Sequence, residues 1–164
     1  MRIWLLALVV LGALVGLGSV LDVPGRVRAA YDRAGLRKQA DDAEQRWNDQ
    51  GLDSYQIVVR RVDATWQLQW NTIVVRDGQV VESSSRCERT PAGPQMCRVQ
   101  PFDPGEYTVP GLFVTARDLF AKHPATTVGV TFDQTYGYPR EMFSDRPGVT
   151  DDTQMWAVES LTPL

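Results

Sequence analysis

Thr65 to Val81 reads T-W-Q-L-Q-W-N-T-I-V-V-R-D-G-Q-V-V, and this stretch decides the fold. In an extended chain Trp66, Leu68 and Trp70 share one side and Gln67 and Gln69 the other, so Thr65 to Arg76 reads as a strand with one buried side. Asp77-Gly78, set between Val74-Val75 and Val80-Val81, is the dipeptide that a type I′ turn demands, because both of its central residues take positive φ. The strands on either side of it are therefore adjacent and antiparallel. Upstream, Ser54 to Val62 (S-Y-Q-I-V-V-R-R-V) makes a first strand. Downstream, Thr126 to Asp133, Pro139 to Phe143 and Gln154 to Leu161 make three more.

Two helices interrupt the strands. Arg26 to Gln50 is charged, rich in alanine and nearly free of β-branched residues; Ala30, Ala34, Ala40, Ala43 and Trp47 fall roughly at helical spacing, and Gly51 is a suitable stop. Gly111 to His123 places Leu112, Phe113, Ala116, Leu119 and Phe120 on one face, and Pro124 ends it. The order is a helix, three strands, a helix and three strands, with hairpins and no βαβ rhythm. This predicts an α+β fold, an antiparallel sheet of about six strands with two helices on one face, preceded by an N-terminal apolar helix. The doubled order hints at an internal repeat, although no residue-level self-similarity accompanies it.

That apolar helix is residues 3 to 21, I-W-L-L-A-L-V-V-L-G-A-L-V-G-L-G-S-V-L, with no charge in it. As a helix it is about 28 Å long, matching a hydrocarbon core of about 30 Å. Length favours an uncleaved anchor over a cleaved signal peptide: Gly16-Leu17-Gly18 is small-x-small but lacks the expected alanines, and the apolar run continues to Leu21. The predicted parts are thus a transmembrane anchor or signal peptide (1–21), a helical juxtamembrane stalk (22–43) and an extracytoplasmic α+β domain (44–164). Gly12 and Gly16 form a G-x-x-x-G pair suited to helix–helix contact, though glycine is common in such segments anyway. The first 38 residues carry six Lys/Arg against two Asp/Glu, and the remainder eleven against eighteen. An acidic domain excludes nucleic acid as a partner, since neutralising phosphate needs a basic footprint. The basic run Arg26 to Lys38 makes membrane lipid a candidate partner instead.

Orientation is contested within the sequence. Arg26, Arg28, Arg33, Arg37 and Lys38 outweigh Arg2 and by the positive-inside rule would hold the domain in the cytoplasm. Cys87 and Cys97 argue the other way. A nine-residue gap with Pro and Gly can bring them together as a disulfide, which implies an oxidising compartment. The competing account is a pair of unrelated free thiols. A closed zinc site is excluded, because His123 is the only histidine to join two cysteines.

Trp47 followed eight residues later by Tyr55, the V-x-D-G-x-V hairpin from Val75, Thr108-Val109 ahead of Leu112-Phe113, and the run Phe132-Asp133-Gln134-Thr135-Tyr136-Gly137-Tyr138-Pro139 form a recognisable series. Over about residues 44 to 160 it resembles an uncharacterised bacterial family of secreted, lipid-anchored or membrane-anchored domains, domain of unknown function 6174. The resemblance implies an extracytoplasmic address and no reaction.

Candidate chemistry is sparse. Tyr136, Tyr138 and Pro139, with Asp133, make an aromatic turn able to stack on a sugar or grip an extended peptide; the alternative is a turn whose rings pack over the sheet. Asp133, Asp145, Asp151 and Asp152 supply oxygen ligands for calcium but lack the D-x-D-x-D-G spacing. His123 sits at a helix end, and no G-x-S-x-G, H-E-x-x-H or phosphate-cradling loop occurs. The expectation is a non-catalytic, membrane-anchored binding or accessory module without a cofactor, with a protein partner in the membrane or cell envelope. Its rivals are a cell-envelope hydrolase using carboxylates and a small accessory subunit of a membrane complex held by its single helix.

Overall fold

A computed structural model of the chain describes residues 23–63, 67–89, 97–124, 127–145 and 153–164. The expectations placed on residues 1–21, Gly12 and Gly16 included, and on Trp66, Asp151 and Asp152 lie outside the described residues. Among those described, no helix is long and apolar enough to cross a membrane.

Helix α1 (Val23–Gln50) leads into strands β1 (Tyr55–Asp63), β2 (Gln67–Arg76) and β3 (Gln79–Arg89). A 3-10 turn (Pro104–Tyr107) and helix α2 (Val109–Lys122) follow, then β4 (Val128–Phe132), β5 (Pro139–Ser144) and β6 (Gln154–Pro163). The strands form one sheet in the order β3-β2-β1-β6-β5-β4, antiparallel at every pairing. The Asp77-Gly78 turn forms as its chemistry demands, with φ of 49° and 72°. It is tied down from outside: Gly78 N–H donates to the Asp53 carbonyl (2.8 Å) and Asp77 N–H to Ser54 Oγ (3.1 Å).

Both helices lie on one face of the sheet and share one core. Ala40, Ala43 and Trp47 of α1 meet Val109, Leu112, Phe113, Ala116 and Phe120 of α2, over Tyr55, Ile57, Val59, Ile73, Val75, Val130 and Met142 of the strands. Alanines at the contact let α1 lie close, and Arg117 of α2 ties it by ion pairs to Glu44 and Asp41. Thr108 caps α2 by accepting from Gly111 N–H (3.2 Å), where the backbone of the 3-10 turn approaches so closely that a Cβ on Gly111 would collide with it.

Strand β2 alternates as its sequence predicts, but its buried side is the one carrying Gln69 and Asn71. Both are buried, while Leu68 and Trp70 are half-buried on the face that no helix covers. The cause lies at the strand's other end. Ile73 and Val75 pair with Ile57 and Tyr55 and must face the helices, and a period of two carries that parity back to Asn71 and Gln69. Hydrogen bonds satisfy the Gln69 amide and the Asn71 Oδ1, whereas the buried Asn71 Nδ2 has no partner among the described residues. Gln69 donates to Asn71 Oδ1 (2.9 Å) and to the Gln100 carbonyl (3.1 Å) and accepts from Gln100 N–H (2.8 Å), while Ser85 Oγ donates to Asn71 Oδ1 (2.7 Å).

The doubled element order is not a spatial repeat. Read from one edge, the sheet runs 4-5-6-1-2-3, yet β1 and β4 point in opposite directions. A rotation mapping one half onto the other would therefore exchange the faces of the sheet, and the two helices share a face.

Candidate functional site

The turn from Asp133 to Tyr138 joins β4 to β5, and the structure brings Asp133, Tyr136, Tyr138 and Pro139 together there. Asp133 organises it. Its Oδ1 accepts from the N–H groups of Thr135 (2.9 Å) and Tyr136 (2.7 Å), its carbonyl accepts from Gly137 N–H (3.0 Å), and its own N–H donates to the Tyr138 carbonyl (2.9 Å). The rings of Tyr136 and Tyr138 stack with centroids 6.4 Å apart and pack, half-buried, against the core. Burial and, after it, the Asp133 carboxylate hold the Tyr138 hydroxyl above the ordinary tyrosine value. Gly137, at φ 90°, lies directly on α1: a Cβ there would collide with the Ala43 carbonyl oxygen. Pro139 is buried as the first residue of β5. The turn is thus seated on the helix rather than projecting from the molecule.

What the seated turn presents to solvent is the outer edge of β4. A cavity of about 530 Å³ lies on one side of this edge, lined by Thr131 to Thr135 with Arg140 and Glu141. On the helix side, a cavity of about 340 Å³ is lined by Gln39, Asp42 and Arg46 of α1 with Val130, Thr131 and Phe132. Thr131 and Phe132 border both. The sheet's two edges differ in kind. β3 carries Glu82, Arg86 and Glu88 and an extra residue opposite Val74–Val75, devices that discourage further pairing. β4, V-G-V-T-F, has neither a charge nor a proline.

Cys87 and Cys97 are joined by a disulfide, Cα atoms 6.0 Å apart, pinning the end of β3 to the segment that returns across the sheet. Such a bond suggests an extracytoplasmic environment. His123 caps α2, its backbone N–H donating to the Leu119 carbonyl, and lines an open cavity of about 430 Å³ with Asp118 and Lys122. Asp145 N–H donates to the Thr127 carbonyl at the start of β4 (2.8 Å). Among the described residues, no three His, Cys, Asp or Glu side chains converge closely enough to hold a metal ion.

Sequence reasoning missed the uncovered face of the sheet. Leu68, Val62, Met155 and Phe143 fall side by side in register on four neighbouring strands, with Phe143 lying over Gly129. The next row holds Trp70 beneath the Arg86 guanidinium, 4.3 Å from the ring centroid. The alternating Leu68 and Trp70 were the available signal, and their hydrophobicity pointed to the core instead.

No curated protein and no solved structure matches the chain. The profile of one family does, over residues 39–163, which runs from the middle of α1 through the last strand and takes in the Trp47–Tyr55 contact, the hairpin turn and the tyrosine turn. A match over that length, on the residues that build this fold, makes the chain a member of the family of unknown function DUF6174.

Proposed function

We propose that the chain is a non-catalytic binding or accessory module, held outside the cytoplasmic membrane by residues 1–21, which recognises a protein partner at the β4–β5 end of its sheet. The observation that carries this reading is the cavity of about 530 Å³ beside the tyrosine turn, built on a hairpin whose backbone is fixed by Asp133 and by the seat of Gly137 on α1. Recognition tends to sit on loops held by a rigid scaffold. The disulfide supports the address, the length of the uncharged segment supports the anchor, and the basic run Arg26 to Lys38 supports contact with lipid headgroups. Gly12 and Gly16 suit a partner helix in the membrane.

The test has two arms. An alkaline-phosphatase fusion after Leu164 is active and a cytosolic reporter silent if the domain lies outside; the reverse result overturns the address. In mild detergent the tagged full-length protein retains a stoichiometric partner that is lost on Arg140→Glu with Glu141→Lys, exposed positions chosen because the tyrosines serve the core. A partner retained by that variant, or a protein that purifies alone, overturns recognition at this end.

A further inference from the structure

The edge of β4 offers more than a cavity. The Thr127 carbonyl accepts from Asp145 N–H, so residue 127 faces β5, and alternation along the strand turns the N–H and C=O groups of Val128 and Val130 away from the sheet. They are an unpaired ladder on an edge that nothing in its own sequence guards. A chain added there would send successive side chains to opposite faces of the sheet, and a cavity lies ready on each face, both bordered by Thr131 and Phe132.

Two arginines flank the edge, each without a carboxylate partner among the described residues. Arg46, on the helix side, donates to the Asp42 backbone carbonyl and has no carboxylate partner among the described residues; the Asp42 carboxylate is taken by Lys38 (2.6 Å). Arg140, on the other side, likewise has no carboxylate partner among the described residues: the nearby Asp133 carboxylate is engaged in its own turn, and Glu141, which lines the same cavity, makes no ion pair with it. The domain's overall negative charge does not cancel this, because at physiological salt it is screened beyond about 8 Å. We propose that the β4 edge binds an extended, acidic peptide segment of a partner protein as a seventh strand. Its acidic residues are an odd number of positions apart, one meeting Arg46 and the other Arg140. This inference rests on the binding-module reading above and gives it a ligand class.

The test uses the full-length protein in mild detergent and two labelled, end-capped peptides of identical composition. Val-Glu-Val-Thr-Glu-Val has its acids three positions apart, and Val-Glu-Val-Glu-Thr-Val two apart. The first is expected to bind saturably, to slow exchange of the Val128 and Val130 amides, and to lose about threefold to fivefold in affinity on Arg46→Ala or Arg140→Ala, the effect of one exposed charge pair. The second is expected to bind more weakly by a similar factor. Equal binding of the two isomers, binding without protection of those amides, or no saturable binding of the first overturns strand addition. Any of these outcomes beside a partner captured through Arg140 and Glu141 leaves the module reading standing and removes only the strand. Loss of that partner beside protected amides does the reverse.

Discussion

Tyr55 holds three elements at one point. Its ring meets Trp47 of α1 edge-on, centroids 5.3 Å apart, and its hydroxyl accepts from Val109 N–H (3.1 Å), one of the donors that the first turn of α2 cannot satisfy internally. Tyr55→Phe leaves that buried donor without an acceptor and is expected to cost about 1–2 kcal/mol in urea unfolding, with the same slope as the native chain. Burial raises the Tyr55 hydroxyl above its ordinary value, against the opposing pull of Val109 N–H, and burial followed by Asp133 raises Tyr138. For both groups the fold favours the protonated form. The stability they contribute is therefore complete below the unfolded value of about 10 and is lost as pH climbs from there through the folded values. The urea midpoint should fall above pH about 10, and less steeply in Tyr55→Phe. Gly137→Ala must adopt a φ of 90° and push its Cβ into α1, and about 2–4 kcal/mol is expected to be lost. At this scale the tyrosine turn was legible in the sequence as a unit, because Asp, Gly and Pro mark turns by local chemistry. The burial of Gln69 was not, because its partner Gln100 lies thirty-one positions away.

Strand β2 shows where local reading stops. Its alternation and its turn follow from residues within a few positions of each other, and both were legible in the sequence. Which side faces the helices depends on β1, β3 and the returning segment 97–100, and the more apolar side of its first half is the side left uncovered. The cysteine pairing was likewise legible, since a short gap in a turn-rich stretch brings the two thiols within reach. The bond closes a loop with a sequence separation of 10 and pins the end of the edge strand β3. Cys87→Ser with Cys97→Ser is expected to lower stability by somewhat under about 3 kcal/mol. The loss should be local first. Amide exchange ought to quicken from Ser85 to Glu88, while β1 and β6, at the centre of the sheet, keep their protection until global unfolding. Uniform acceleration across all six strands would mean that the disulfide acts on the unfolded chain alone.

For the whole molecule, the decisive fact is that α1 is one continuous helix whose second half is part of the core. From Val23 to Gln50 nothing breaks it, and in its second half Leu36 is partly buried, Ala40, Ala43 and Trp47 are buried, and Gly137 rests on the backbone between Ala43 and Trp47. The sequence showed the helix and placed a stalk ahead of the domain at 22–43. It could not show where packing starts, because alanines at helical spacing look alike on a solvated face and against a sheet. Gln39, Asp42 and Arg46 supply one wall of the cavity beside the β4 edge, while Trp47 meets Tyr55 of β1. The second half of the helix therefore completes the core. A chain beginning at Arg33 keeps Leu36, Ala40, Asp41 and Ala43 and is expected to unfold cooperatively. A chain beginning at Glu44 gives up the buried Ala40 and Ala43 and the ion-pair partner Asp41. It is expected to lose the sharp thermal transition and the near-ultraviolet signal of Trp47 against Tyr55. Equal melting of the two shortened chains would show that residues 33–43 add nothing to the stability of the core.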